Sequence, residues 1–271
     1  MDGADAWREL EPMLRGGVFV AVFAAMALLE AWRPRRPAAG TRLPRWAHNL
    51  GLAVLGTLLV RVVLPIGAVG VALAAQARGL GLFNVVVTAP SVAIVASVLL
   101  LDLAIYLQHR LFHAVPWLWR LHRVHHADPA FDVSTALRFH PVEIALSMLI
   151  KMAVVVALGA PPAAVLAFEI VLNACALFNH ANLRLPAAFD VVLRRVLVTP
   201  DMHRVHHSIV PLETHSNFGF NLAWWDRLFR TYRAQPAQGH AGMTIGNPDY
   251  REPRQVARLW GMLAMPFAPP R

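Results

Sequence analysis

The sequence predicts an all-α fold: an integral membrane helical bundle with histidines gathered at one end. Three features support this. Hydrophobic residues make up 57% of the 271 residues and charged residues 15%, whereas soluble domains usually carry about 25% charged residues. Several apolar segments are long enough to cross the roughly 30 Å of hydrocarbon in a bilayer. Most of the thirteen histidines follow the ends of those segments.

Five apolar segments are predicted to span the membrane. The first ends in Arg33-Pro34-Arg35-Arg36, a basic stretch typical of stop-transfer rather than of a signal-peptide cleavage site. The second contains Arg61 and Pro65 and is therefore expected to be tilted or kinked. Residues 79–89 form an apolar connector, expected at the membrane interface. The predicted spans are residues 14–32, 50–76, 91–112, 142–158 and 162–180.

The distribution of arginine predicts the orientation of these spans. Residues 33–45, 109–140 and 184–271 hold 20 of the 25 lysine and arginine residues, and cytoplasmic loops of membrane proteins carry such an excess. With these stretches inside, every histidine-rich stretch is also cytoplasmic. We therefore expect a multi-pass protein of a bacterial inner membrane. Because the arginines flank apolar segments, a membrane explains the basic charge better than nucleic acid does.

The histidines recur at spacings that suit metal binding. His109 and His113 are four residues apart, which places both rings on one face of a helix. The pentapeptide HRVHH occurs twice, beginning at His122 and at His203. Without a metal, so many imidazoles at an apolar boundary would leave polar nitrogens without partners. The predicted ligands are His109, His113, His122, His125, His126, His180, His203, His206 and His207.

The identity of the metal is left open by the residues alone. Imidazole suits zinc, iron, copper and nickel, and a single zinc takes about four ligands. Nine histidines fit two metal ions with four or five rings each. The zinc-protease motif HExxH is absent, and the one cysteine, Cys175, excludes a four-cysteine iron–sulfur cluster.

The motifs resemble those of the fatty acid hydroxylase/sterol desaturase superfamily of membrane di-iron oxygenases. The resemblance rests on five stretches that occur in the family's order and cover roughly residues 90–235. It divides the chain into an N-terminal transmembrane region (1–90), a catalytic region (91–235) and a C-terminal tail (236–271). The stretches are DLAIYLQHRLFH…HRVHH from Asp102, RFHPVE from Arg138, NHANLRLP from Asn179, TPDMHRVHHS from Thr199 and NFGFNLAWWDRLFRTY from Asn217.

This resemblance implies that the nine histidines ligate two iron ions, for which zinc is a possible substitute. It also implies O2 as co-substrate and a lipid taken from the bilayer. Because the chain has no dinucleotide-binding fingerprint, electrons must come from an external donor such as cytochrome b5 or a ferredoxin, with its reductase. Hydroxylation of a lipid C–H bond is the leading expectation and desaturation the alternative. Sterols, fatty acids, ceramide-like lipids, alkylglycerols and carotenoids all remain open as substrates.

Two further residues are candidates for a role at the site. Some family members have a histidine four residues before the position of His180, where this chain has Ala176. His140 is one group that could fill that gap, or it could lie just outside the ligands. Asp102 lies two helical turns before His109 and is expected to accept an imidazole N–H. Asp201 and Glu143 are alternatives for that role, and Asp226 is expected to pair with a nearby arginine.

Two functions of other classes compete with this reading. A divalent-metal transporter should carry its ligands near the middle of several spans, whereas these histidines lie past span ends. A non-catalytic scaffold would be expected to have lost some of the histidine motifs, and these are intact. His48 and His240 are expected to be interfacial or hydrogen-bonded residues, and Arg123 and Arg204 to bind carboxylates or lipid headgroups.

Overall fold

The computed structural model describes residues 3–37 and 42–269. Within them the regular structure is helical, and β-structure is limited to four isolated bridges. The all-α prediction is therefore confirmed. In chain order the helices are α1 (Gly3–Trp32), α2 (Arg42–Val63), α3 (Gly67–Ala77), α4 (Leu82–Val85), α5 (Pro90–Ala114), α6 (Pro116–His126), α7 (Pro141–Leu158), α8 (Pro162–Asn179), α9 (Ala187–Leu193), α10 (Pro200–His206), α11 (Pro211–Thr214), α12 (Trp224–Leu228), α13 (Gly239–Gly242), α14 (Pro253–Val256) and α15 (Leu259–Ala264), with 3-10 turns at Val133–Leu137 and Met265–Phe267.

Five stretches of the described helices are long and apolar enough to cross a membrane: Glu11–Trp32, Arg42–Val85, Pro90–Ala114, Pro141–Leu158 and Pro162–Asn179. They correspond to the five predicted spans, of which the last, 162–180, was predicted one residue too long, so the chain is an integral membrane protein. The second stretch is broken at residues 64–66, where α2 gives way to the shorter α3. Pro65 lies in this break, where the sequence predicted a kink, because proline interrupts helical hydrogen bonding.

Proline and glycine set several of the helix ends. Proline occupies the first turn of α5, α6, α7 and α8, where its missing N–H costs no helical hydrogen bond. α7 is followed by Gly159, which has the left-handed φ of 61° that glycine adopts without strain. A Cβ atom at Gly81 would lie 2.1 Å from the Gly159 nitrogen, so this crossing of two chain segments requires a glycine.

The charges inside the apolar bundle have partners. Glu169 on α8 is buried and pairs with Lys151 on α7, and its second oxygen lies 3.1 Å from an Arg15 nitrogen on α1. Ionisable groups within membrane helices are costly unless they are paired in this way. The ion pairs join α1 to the α7–α8 hairpin within the membrane-crossing stretches.

The ends of five helices meet at the histidine-rich end of the bundle, which we call the histidine end. Glu30, near the end of α1, accepts hydrogen bonds of 2.6 Å from the Val133 and Asn182 amides. Arg45, near the start of α2, pairs with Asp128 beyond α6. The arginine-rich loops that were predicted to lie on one side of the membrane are thus in contact with one another.

The first 90 residues and the residues after 235 both pack on the region that the sequence predicts to be catalytic. Leu52 of α2, Val124 of α6 and Met262 of α15 belong to one buried cluster. Arg123 of α6 donates to the carbonyl oxygens of Met265 and Ala268. The region boundaries at residues 90 and 235 stay predictions from the sequence.

Candidate metal centre

The nine predicted ligands converge from four places in the chain. His109 and His113 lie in the last two turns of α5, and the first HRVHH motif forms the end of α6. The second begins in α10 and ends at His207, directly after that helix. His180 directly follows α8. All nine rings are buried, since the most exposed of them, His113, is only 7% exposed.

Five of these histidines form one group. Each offers a ring nitrogen, and these nitrogens all lie within 4.8 Å of one another. This spacing allows one ion to contact several of the rings. The five-histidine group consists of His109, His113, His122, His126 and His206.

The other four histidines form a second group with the same 4.8 Å limit between ring nitrogens. The groups adjoin, because the rings of His126 and His207 stack with centroids 4.6 Å apart. Each HRVHH motif contributes to both groups. The four-histidine group consists of His125, His180, His203 and His207.

Polar contacts behind three rings of the five-histidine group orient those rings. His109 and His206 donate from Nδ1 to the carbonyl oxygens of Phe218 and Ser216, each at 2.7 Å. His122 Nδ1 lies 2.6 Å from a Glu143 carboxylate oxygen. A carbonyl oxygen accepts only, so in a neutral ring the proton is on Nδ1 and Nε2 carries a free lone pair.

The inward-facing nitrogens then require a cation. His109 Nε2 lies 3.0 Å from both His122 Nε2 and His206 Nε2. Because Nδ1 is protonated in both His109 and His206, the contact between these two rings brings unprotonated nitrogens together, and their lone pairs repel unless a positive ion lies between them. Both nitrogens of His113, His126 and His207 are also buried without a hydrogen-bond partner among the described residues. The residues present therefore fit a bound metal.

Burial keeps the rings in the neutral form that metal ligation requires. It lowers the pKa of His122 to about 3 and that of His180 to about 4. Burial, followed by the nearby imidazoles, also puts the pKa values of the remaining HRVHH histidines well below the usual 6.5; these are His125, His126, His203, His206 and His207.

The structure places Asp102 differently from the expectation. Its carboxylate accepts a hydrogen bond of 2.8 Å from the Trp225 indole and one of 3.3 Å from the Leu222 amide, and neither donor is an imidazole. Glu143, one of the two alternatives, is the carboxylate that contacts a ligand ring, His122. Spacing along α5 identified Asp102 as a candidate because it shares a helix face with His109. Such spacing gives no information about Glu143, which lies on another helix, α7.

His140 lies outside both groups. Its Nδ1 accepts from the Val142 amide at the start of α7, and its Nε2 lies 3.3 Å from the Leu263 carbonyl oxygen. Ala176, at the position where some family members have a histidine, contributes its backbone carbonyl oxygen. This oxygen accepts a hydrogen bond from His180 Nδ1 at 2.8 Å. A ligand or catalytic role for His140 stays a prediction.

Asp226 supports the loop behind His109. It is fully buried and accepts hydrogen bonds from the amides of Phe218 and Gly219, at 2.8 and 2.9 Å. A Cβ atom at Gly219 would lie 2.9 Å from an Asp226 oxygen, so glycine allows this close approach. The role is structural as expected, but backbone amides take the place of the expected arginine.

The arginines of the two HRVHH motifs point away from the rings. Arg204 is fully buried, pairs with Asp201 and lies over the Phe131 ring at 5.0 Å. Arg123 lies over Tyr250 at 4.4 Å. Asp201 thus pairs with arginine, including Arg35 at 3.0 Å, and not with any of the nine predicted ligand rings.

Several residues near the rings were missed in the sequence. Trp119 and the exposed His215 lie beside His113, with ring centroids 4.9 and 5.4 Å from it. Phe139 stacks on His125 at 4.2 Å and 11°. Glu30 was missed as well, although a carboxylate at the end of a span signals a partner elsewhere.

Sequence comparison with known proteins matches the part of the chain that contains the two histidine groups. The fatty acid hydroxylase family model matches residues 94–231, just over half of the chain. The chain is 31% identical over 176 residues to an ornithine lipid hydroxylase of Rhizobium tropici, covering 65% of this chain and 50% of that protein.

Alkylglycerol monooxygenases are also similar. That of Caenorhabditis elegans is 31% identical over 136 residues, which cover 49% of this chain and 26% of the relative. That of Danio rerio is 33% identical over 144 residues, with 53% and 31% covered. The chain thus spans half or less of the length of these relatives, and no solved structure shows a significant match to it. From the family match and the order of its histidine motifs, the chain belongs to the fatty acid hydroxylase family.

Proposed function

We propose that this protein hydroxylates a C–H bond of a membrane lipid with O2, at a site where nine histidines hold two iron ions. The observation that carries this proposal is the pair of adjoining histidine groups, with unprotonated nitrogens facing each other at 3.0 Å. Membership of the fatty acid hydroxylase family supports the reaction class.

Iron is favoured over other metals by the family, and the donor set is compatible with it. Imidazole binds iron and zinc alike, so zinc can occupy the same groups as a substitute. When bound, the two ions supply the redox chemistry that activates O2. The overall reaction converts one C–H bond and O2 into one C–OH bond and water, and it consumes two electrons and two protons from outside.

The chain's own residues position and shield this chemistry. The Phe218 and Ser216 carbonyls and the Glu143 carboxylate hold three rings in the tautomer that leaves Nε2 free to bind, which is the usual role of groups behind metal ligands. Burial of all nine rings keeps bulk water away from the centre.

The substrate class follows from the membrane setting and the relatives. Apolar helices reach the site from the bilayer, so an acyl or alkyl chain can approach laterally. The relatives are named for hydroxylation of an ornithine lipid and oxygenation of alkylglycerol, which favours hydroxylation over the alternative, desaturation. Electrons would come from cytochrome b5, a ferredoxin or a similar donor with its reductase.

We also propose that the histidine end faces the cytoplasm of a bacterial inner membrane. The loops at this end carry most of the arginine residues, as the positive-inside rule requires. A cytoplasmic electron donor can reach only this side.

Metal analysis together with lipid mass spectrometry tests the proposal. The detergent-purified protein should contain about two irons per chain, as nine imidazoles imply. Lipids from cells that express it should include a species heavier by one oxygen, whereas loss of two hydrogens would identify a desaturase. His125→Ala and His206→Ala should give no product. An iron-free protein that stays active, or wild-type turnover in either variant, would refute the assignment.

A further inference from the structure

An apolar surface lies outside the five membrane-crossing stretches, on the segments around α9 and α12. Its most exposed members are Leu228 at 68%, Val192 at 62% and Phe189 at 54%. Backbone hydrogen bonds join the two segments, from Ala223 to Val196 and from Val198 to Asn221. We call it the α9–α12 surface, and it consists of Phe189, Val191, Val192, Val196, Trp224 and Leu228.

Helix α9 buries its charged side chains and exposes its apolar ones, the opposite of a helix that faces water. Its two charged neighbours, Asp190 and Arg194, are buried and pair with each other, while Phe189, Val191 and Val192 face outward. A helix on a water-exposed surface turns its charges out and its apolar side in. The arrangement of α9 therefore suits an apolar environment outside the protein.

The α12 segment lies beside the membrane-spanning part of α5. Asp102 accepts hydrogen bonds from Trp225 and Leu222, and it is seven residues before His109, about 10 Å further into the span. Phe229 stacks on Tyr106 of α5 with ring centroids 5.4 Å apart. The surface thus begins at the depth of the bilayer and not above it.

Exposed arginines border this surface. Arg184, Arg195, Arg227 and Arg230 are all exposed, and no carboxylate lies within ion-pair distance of them in the part of the chain that the structure describes. Guanidinium groups bind phosphate oxygens in a planar, bidentate fashion. An apolar surface bordered by such groups is complementary to acyl chains below a layer of phosphates.

We propose that the α9–α12 surface is immersed in the phospholipid leaflet at the histidine end, with its arginines at the level of the headgroup phosphates. This membrane contact is additional to the five spans and does not depend on the proposed reaction. α12 carries Asp226, which holds the loop behind His109. The leaflet therefore contacts an element that also supports the candidate metal centre.

Spin labels on single cysteines test this in phosphatidylcholine–phosphatidylglycerol nanodiscs. The only native cysteine, Cys175, is removed as Cys175→Ala, and labels are placed by Val192→Cys and Leu228→Cys. The collision rates of each label with O2, which concentrates in lipid, and with a water-soluble nickel chelate are measured by power-saturation EPR. Val95→Cys, exposed on the α5 span, is the lipid control, and Gln238→Cys is the water control.

Both test labels should resemble the Val95 label, with an O2-to-nickel accessibility ratio several-fold above that of the Gln238 label. A ratio like that of Gln238 would show that the surface faces water and would overturn the proposal. Low accessibility to both reagents would indicate a protein partner on the surface and would overturn it equally. Neither result would bear on iron content or product formation, so failure here is distinguishable from failure of the proposed function.

Discussion

The two histidine groups are built from the same motifs but are held in different ways. In the five-histidine group, three rings have a polar contact between Nδ1 and an oxygen of Phe218, Glu143 or Ser216. In the four-histidine group only His180 has such a bond, to Ala176. The other three rings have no partner at Nδ1 among the described residues.

Packing takes the place of hydrogen bonds in the four-histidine group. Phe139 stacks on His125, and Phe131 lies 5.1 Å from His207 and 5.7 Å from His180. Phe131 is in turn covered by the Arg204 guanidinium. Contacts at Nδ1 thus orient three of the five rings in the five-histidine group but only one of the four rings in the four-histidine group, which also has one histidine fewer.

The largest expected effect comes from deleting one ligand in each group. His207→Ala leaves three rings in its group, whereas His126→Ala leaves four, a complete set for many metal sites. We expect His207→Ala to lose one of the two irons and His126→Ala to retain more, with activity lost in both. Mass-spectrometric metal analysis of the purified proteins measures this.

His215→Ala is the control for these variants, because His215 lies beside His113 but outside both groups. It should keep the metal content of the wild type. Equal iron loss in His207→Ala and His126→Ala, or greater loss in His126→Ala, would contradict the expectation that the four-histidine group depends more strongly on each of its rings.

A smaller effect is expected from the carboxylate behind the five-histidine group. Glu143→Leu removes the acceptor for His122 Nδ1, and loss of such a partner typically weakens metal binding or activity by roughly 10- to 100-fold. Glu143→Gln should lose less, because its amide oxygen can still accept. Competition with a chelator measures the affinity.

Asp102→Asn distinguishes Asp102 from Glu143, two of the three carboxylates that the sequence offered for this role. Its partners are Trp225 and Leu222, so it should weaken metal binding less than Glu143→Leu does. If Asp102→Asn caused the larger loss, the orientation of the rings would depend on the α5–α12 contact and not on Glu143.

The comparison also shows what the sequence could predict. The i, i+4 pair of His109 and His113 and the repeated HRVHH motif are local patterns, so most of the candidate metal-binding histidines, like the helical spans, could be predicted from spacing and hydropathy. The partner of His122 lies 21 residues away on another helix, and Glu30 contacts residues 103 and 152 positions away. Such contacts depend on how the helices pack, which no periodicity encodes.

The smallest expected effect concerns pH and the polar support of the four-histidine group. Asp201, the partner of Arg204, lies 3.6 Å from the buried His240. Burial, opposed by Asp201, lowers the pKa of His240 to about 4, compared with about 6.5 in an unfolded chain. Between these values the unfolded state binds a proton that the folded state does not, so acidification from pH 6.5 towards 4 favours unfolding.

His240→Gln removes this proton uptake while keeping a polar side chain of similar reach. The midpoint of thermal unfolding should therefore fall by less between pH 7.5 and 5.0 in His240→Gln than in the wild type, since every other titrating group is shared. Differential scanning fluorimetry in detergent at the two pH values gives both differences. If the midpoint of thermal unfolding fell equally in both proteins, His240 would have an ordinary pKa in the folded state. The Asp201–Arg204 pair beside the four-histidine group would then be no more sensitive to acid than the rest of the fold.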